Sequence, residues 1–147
     1  MRFEYSDAWL LQAIKLSENG DNGTTLIGII QAADYINHAI ITWREFSIGT
    51  KKLKSIGIVV EKNRRLQTTQ SFNEWWTIKF GRKNRVYIMK ATEEIERYLN
   101  SNFATADSTS IEITTEISHT DWDISISDYQ KIANEITVNV TSKKGKK

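Results

Sequence analysis

Residues 42–69 constrain the fold more than any other stretch of the chain. Thr42-Trp-Arg-Glu45 is a capping box. The threonine hydroxyl accepts from the amide three residues on, and the glutamate carboxylate accepts from the threonine amide, so two donors left bare at a helix start are satisfied. Phe46, Gly49, Leu53 and Ile56 then recur at i, i+3, i+7 and i+10, which is one helical face. Gly57 stands where a left-handed residue ends such a helix. Ile58-Val-Val60 is apolar and β-branched, so a strand begins at once. Lys62-Asn-Arg-Arg65 is turn-like, and Leu66-Gln-Thr-Thr69 returns as the second strand of a hairpin over 58–69. That makes a hairpin directly after a helix, with other elements before both.

Those earlier elements are two helices. Asp7 reads as the N-cap of the first, with Trp9, Leu10, Ala13, Ile14 and Leu16 as its apolar stripe. Glu18-Asn-Gly-Asp-Asn-Gly23 is turn chemistry. Thr24 or Thr25 caps the second helix, whose inward positions are Leu26, Ile29, Ile30, Ala33 and Ile36, and His38 to Ile41 is a short connector. After the hairpin, Thr69 or Ser71 caps a fourth helix carrying Phe72, Trp75, Trp76 and Phe80, and Gly81-Arg-Lys-Asn84 breaks it. Residues 85–101 read as a fifth helix with Ile88, Ala91, Ile95, Tyr98 and Leu99 inward. Residues 101–110 are a polar linker, and Ile111, Ile113, Thr115 and Ile117 alternate as a half-buried strand. A last helix spans 127–138 with Tyr129, Ile132, Ala133 and Ile136 inward, although 137–141 is equally good strand. The expected class is α+β and mostly helical: a three-helix unit with a hairpin, two further helices, and a C-terminal strand/helix segment. The expected organisation is one unit over 1–100, a linker over 101–110, an acidic appendage over 111–142 and a disordered lysine tail over 143–147.

The net charge of +2 over 147 residues conceals a strong segregation. Residues 44–90 hold twelve basic and three acidic side chains, whereas residues 91–142 hold two basic and ten acidic. The middle third therefore carries a positive field that the whole-chain balance dilutes. Cysteine is absent, which excludes disulfide scaffolds, thiolate metal sites and cysteine nucleophiles. The apolar runs are too short for a membrane-spanning helix, and the N-terminus does not read as a signal peptide, so a cytoplasmic protein is expected. In that compartment the Asn22 and Asn139 sequons are chance matches. No nucleophile elbow, phosphate-binding glycine loop or zinc motif is present, and the chain does not read as an enzyme.

Helix, helix, helix, hairpin is the order of a winged-helix domain, and residues 7–70 resemble that family. Thr42-Trp-Arg-Glu-Phe, Gly49 and Leu53-Lys-Ser-Ile-Gly-Ile58, followed by Leu66-Gln-Thr-Thr69, resemble the recognition helix and wing of bacterial winged-helix regulators. Ala33-Asp-Tyr-Ile-Asn-His-Ala-Ile40 looks like a segment of uncharacterised bacterial winged-helix proteins of similar size. The resemblance implies a transcriptional regulator that binds double-stranded DNA through its third helix and wing, as a possible homodimer. The family also includes protein-binding modules, and this is the alternative reading. An effector-sensing regulator with an aromatic pocket is a third.

On a helical wheel Phe46, Thr50 and Leu53 face one way, and Arg44, Ser47, Ile48, Lys51, Lys52 and Ser55 roughly the other. In a winged helix this outer face enters the major groove, which makes Arg44, Ser47, Lys51, Lys52 and Ser55 candidates for base and phosphate contacts. Lys62, Arg64 and Arg65 sit at the wing tip, and Arg82, Lys83 and Arg85 form a third basic cluster. The aromatic group of the fourth helix reads as core or dimer interface rather than a ligand pocket. Asp34 and His38 read as a corner hydrogen bond, and His119, Asp121 and Asp123 as a polar edge rather than a cation site. No metal or cofactor is expected.

Overall fold

A computed structural model describes residues 1–81, 88–105 and 126–144. Helix α1 (Tyr5–Ser17) starts two residues before Asp7. Asp7 is its third residue, not its N-cap, and its carboxylate accepts the Glu4 amide at 2.8 Å. From Asp7 to Ile14 every residue of α1 is buried, so this helix is packed on all sides rather than along one stripe. Leu16, expected to be inward, is 46% exposed, because the helix has by then left the core.

A short 3₁₀ turn (Gly20–Asn22) leads to Thr24. The Thr24 amide donates to the Leu66 carbonyl at 2.8 Å and the Leu66 amide donates back at 3.0 Å, a one-residue antiparallel bridge. Gly23, at φ +67°, must be glycine: a Cβ there would lie 2.5 Å from the Leu66 carbonyl oxygen. Thr25 caps α2 (Leu26–Asn37) by accepting the Gly28 amide, and Leu26, Ile29, Ile30, Ala33 and Ile36 are all buried as the periodicity predicts. The expected capping box opens α3 (Trp43–Ser55), with Thr42 Oγ1 accepting the Glu45 amide and Glu45 Oε1 the Thr42 amide. Gly57, at φ +72°, ends it. Strands β1 (Val59–Lys62) and β2 (Arg65–Thr68) pair antiparallel, with Val59 opposite Thr68 and Lys62 opposite Arg65.

Helix α4 (Gln70–Phe80) follows from Thr69, and α5 (Ile88–Phe103) buries Ala91, Ile95 and Leu99. Phe72 and Trp75 of α4 pack on Tyr98 of α5, Trp75 stacked on it at 4.4 Å; Phe72 and Phe80 are buried, and Trp75 and Trp76 half-buried. α5 takes in the first three residues of the expected linker, 101–103. Beyond it the Thr105 amide donates to the Met1 carbonyl, and the Met1 α-amine donates to Thr105 Oγ1 at 2.7 Å. Helix α6 (Ile126–Lys144) runs through 137–141, where a strand was the alternative, and takes in Lys143 and Lys144 of the expected tail. The strand expected over 111–117 and most of the linker lie outside the described residues.

Tyr129, Ala133 and Ile136 of α6 join one core with α1, α2, α3 and α5. The Tyr129 ring packs 5.6 Å from Phe46, and its buried hydroxyl donates to the Ile41 carbonyl. The fold is mostly helical with a small antiparallel sheet. Burial, with the nearby Glu45 carboxylate, pushes the Tyr129 hydroxyl well above its ordinary value. Its neutral form is therefore favoured by folding. That contribution is full below about pH 10, where a free tyrosine titrates, and is lost as pH rises further. Tyr129→Phe should cost about 1–3 kcal/mol at neutral pH by leaving the Ile41 carbonyl without its donor. It should also flatten the alkaline loss of stability. Urea denaturation at neutral and alkaline pH measures both.

Candidate nucleic-acid interface

Which residues of α3 face outward follows from what its inner face meets. Phe46, Gly49, Thr50 and Leu53 are buried, and Leu53 has no exposed surface, so the register is the expected one. The opposite side is narrower than expected. Arg44, Lys51 and Ser55 are exposed, with half-buried Ile48 between them, on a single stripe at i, i+4, i+7 and i+11.

Two expected members leave this stripe. Lys52 lies on its flank, where Nζ meets Asp7 Oδ2 at 2.9 Å and the Arg2 carbonyl at 3.0 Å. The Asp7 side chain is only 2% exposed, and a carboxylate buried that deeply requires a cation, which Lys52 supplies. Ser47, only 1% exposed, faces inward on the other flank. Its hydroxyl and that of Thr50 have no hydrogen-bond partner among the described residues. Lys54, beside Ser47, pairs with Glu61 of β1 at 3.2 Å. Ser55 turns its hydroxyl back to the Lys52 carbonyl at 2.6 Å.

At the hairpin tip Lys62, Arg64 and Arg65 are all exposed. Asn63 and Arg64 form a tight turn with φ of 53° and 60°. Such turns favour Asn-Gly, and an arginine in the second place is strained by about 1–2 kcal/mol. Together with Arg44 and Lys51, these three cations are in no ion pair among the described residues. Arg82, Lys83 and Arg85 lie outside the described residues.

Sequence reasoning missed a cleft of about 360 Å³ between the Gly20–Asn22 turn and the hairpin. Asn19, Asp21 and Asn22 line one wall, and Lys62, Asn63, Arg65 and Gln67 the other. The only local signal was the glycine at 23, which lets the turn approach β2 closely.

The Asp34–His38 link is made by the backbone, with the His38 amide donating to the Asp34 carbonyl at 2.6 Å and His38 itself left-handed and exposed. Two side chains of α1 reach this end of α2, Trp9 Nε1 donating to the Ala33 carbonyl and the Tyr5 hydroxyl to Asn37 Oδ1. Among the described residues no group of three or more His, Asp or Glu side chains is placed to hold a metal ion, and no helix is long and apolar enough to cross a membrane. His119, Asp121 and Asp123 lie outside the described residues. No family model matches the chain, and no curated protein or solved structure matches it.

The division between paired and unpaired lysines has a direct consequence. Lys52→Ala should cost about 3 kcal/mol or more by stranding the Asp7 carboxylate, whereas Lys51→Ala should stay within about 0.5 kcal/mol of wild type. Arg64→Gly should raise stability by about 1 kcal/mol by relieving the left-handed arginine. Thermal or urea denaturation of the three variants checks all of this.

Proposed function

We propose that the chain is a winged-helix protein that binds duplex DNA, with α3 as its recognition helix and β1–β2 as its wing. The order α1, α2, α3, hairpin supports this reading, with Thr24 bridged to the hairpin between the first two helices. The observation that carries it is the set of five exposed cations, Arg44, Lys51, Lys62, Arg64 and Arg65, that have no acidic partner among the described residues. In the same basic segment Lys52, Lys54 and Lys79 are each held by a carboxylate. Unpaired cations on an exposed helix stripe and a hairpin tip suit a polyanion, because each phosphate they neutralise releases condensed counterions. The strained Arg64 fits a side chain retained for contact rather than for the fold. Regulation of transcription is the role this reading implies.

In the mechanism the α3 stripe enters the major groove, and the hairpin tip follows the adjacent backbone. Lys51 meets phosphate. Arg44, early in the helix, reaches a guanine edge, where its planar fork makes two bonds.

Fluorescence anisotropy of a labelled duplex over a salt series tests the reading. Lys51→Ala should weaken binding to all sequences alike and flatten the log–log salt slope by about 0.9, the share of one phosphate contact. Arg44→Ala should relax preference at one base pair. Lys15→Ala, on α1 outside the basic segment, should change little. Equal effects of Lys15→Ala and Lys51→Ala would favour a winged-helix module for protein partners instead.

A further inference from the structure

We infer that the cleft between the Gly20–Asn22 turn and the hairpin is a seat for a backbone phosphate of a nucleic-acid strand, with the α1–α2 connection as a third contact element beside α3 and the wing. The inference rests on the DNA-binding reading and extends it to Asn19, Asp21 and Asn22, which lie outside the basic clusters. Donor chemistry supports it. Six of the seven lining side chains carry N–H donors, and Asp21 is the only acid. No apolar side chain lines the cleft, so it does not suit the mostly apolar ligands that pockets of this size usually hold. Its lining side chains form no ion pair with one another among the described residues, although Asp21 shares the cleft with Lys62 and Arg65. A ligand rich in acceptor oxygens and negatively charged matches this set.

The cleft walls are also fixed relative to each other. The Thr24–Leu66 bridge joins turn to hairpin by two backbone hydrogen bonds. Glu18, at the end of α1, accepts from both the amide and the hydroxyl of Thr68. Gly23 packs so closely on Leu66 that no side chain fits between them. A site held this way loses little freedom when a phosphate arrives, which favours binding.

The test uses the full chain, a short labelled duplex and inorganic phosphate. Asp21→Asn removes the one repelling charge and should raise duplex affinity severalfold at low salt. Asn22→Asp adds a charge of the wrong sign and should lower it severalfold. Both side chains are exposed, so the melting transition should stay at the wild-type value in each variant. Amide NMR shifts of residues 20–23 should move on titration with duplex, and inorganic phosphate should move them only at far higher concentration. Wild-type affinity in both variants, while Lys51→Ala still weakens binding, would overturn the cleft and leave the α3 reading standing. Loss of duplex binding in every form of the protein, wild type included, would overturn both. Tight binding of inorganic phosphate at 20–23 without an effect of duplex would overturn the strand as the source of the phosphate.

Discussion

The crossing of α1 and α3 sets the rest of the molecule. Asp7 accepts the Glu4 amide at the start of α1 and holds Lys52 of α3 at 2.9 Å. One turn away Gly49 lets the helices approach so closely that a Cβ there would fall 2.6 Å from Leu10 and 3.3 Å from Asp7. Only one rotation of α3 allows both contacts. That rotation turns Arg44, Lys51 and Ser55 to solvent, and it turns Phe46 toward Tyr129 so that α6 can dock. The buried ion pair is costly to desolvate, and its return is a defined orientation of the helix that presents the cations.

Two populations of positive charge follow. Lys52, Lys54 and Lys79 are bound to carboxylates and belong to the architecture. Arg44, Lys51, Lys62, Arg64 and Arg65, and Lys90 on α5, are exposed and in no ion pair among the described residues. A count of basic residues over 44–90 merges the two, so the segment's charge overstates what a polyanion would meet.

Much of the fold was legible because local rules agreed with one another. The Thr42–Glu45 capping box, the left-handed Gly57 and the β-branched run after it each point to the same helix-to-hairpin junction, and the structure has it. The stripe of α2 was legible for the same reason. The errors came from contacts distant in the chain. Nothing near Lys52 announces that Asp7 will claim it, and nothing near Ser47 that its flank will be covered. At 137–141 β-branched propensity competed with the helical phase of Tyr129, Ala133 and Ile136, and burial of that face decided for helix. The cleft was invisible because its walls meet through contacts distant in the chain, the Thr24–Leu66 bridge and Glu18 on Thr68, which leave no periodic trace.

The unpaired cations of α3 and the hairpin tip are proposed as a polyanion-binding face. The most direct measurement is the affinity of the unmodified chain for a duplex of arbitrary sequence across a salt series. With Arg44 on a base edge, three or four phosphate contacts from Lys51, Lys62, Arg64 and Arg65 predict a log–log slope between about −3 and −4. No binding at about 50 mM salt, or an affinity that does not change with salt, would contradict the account.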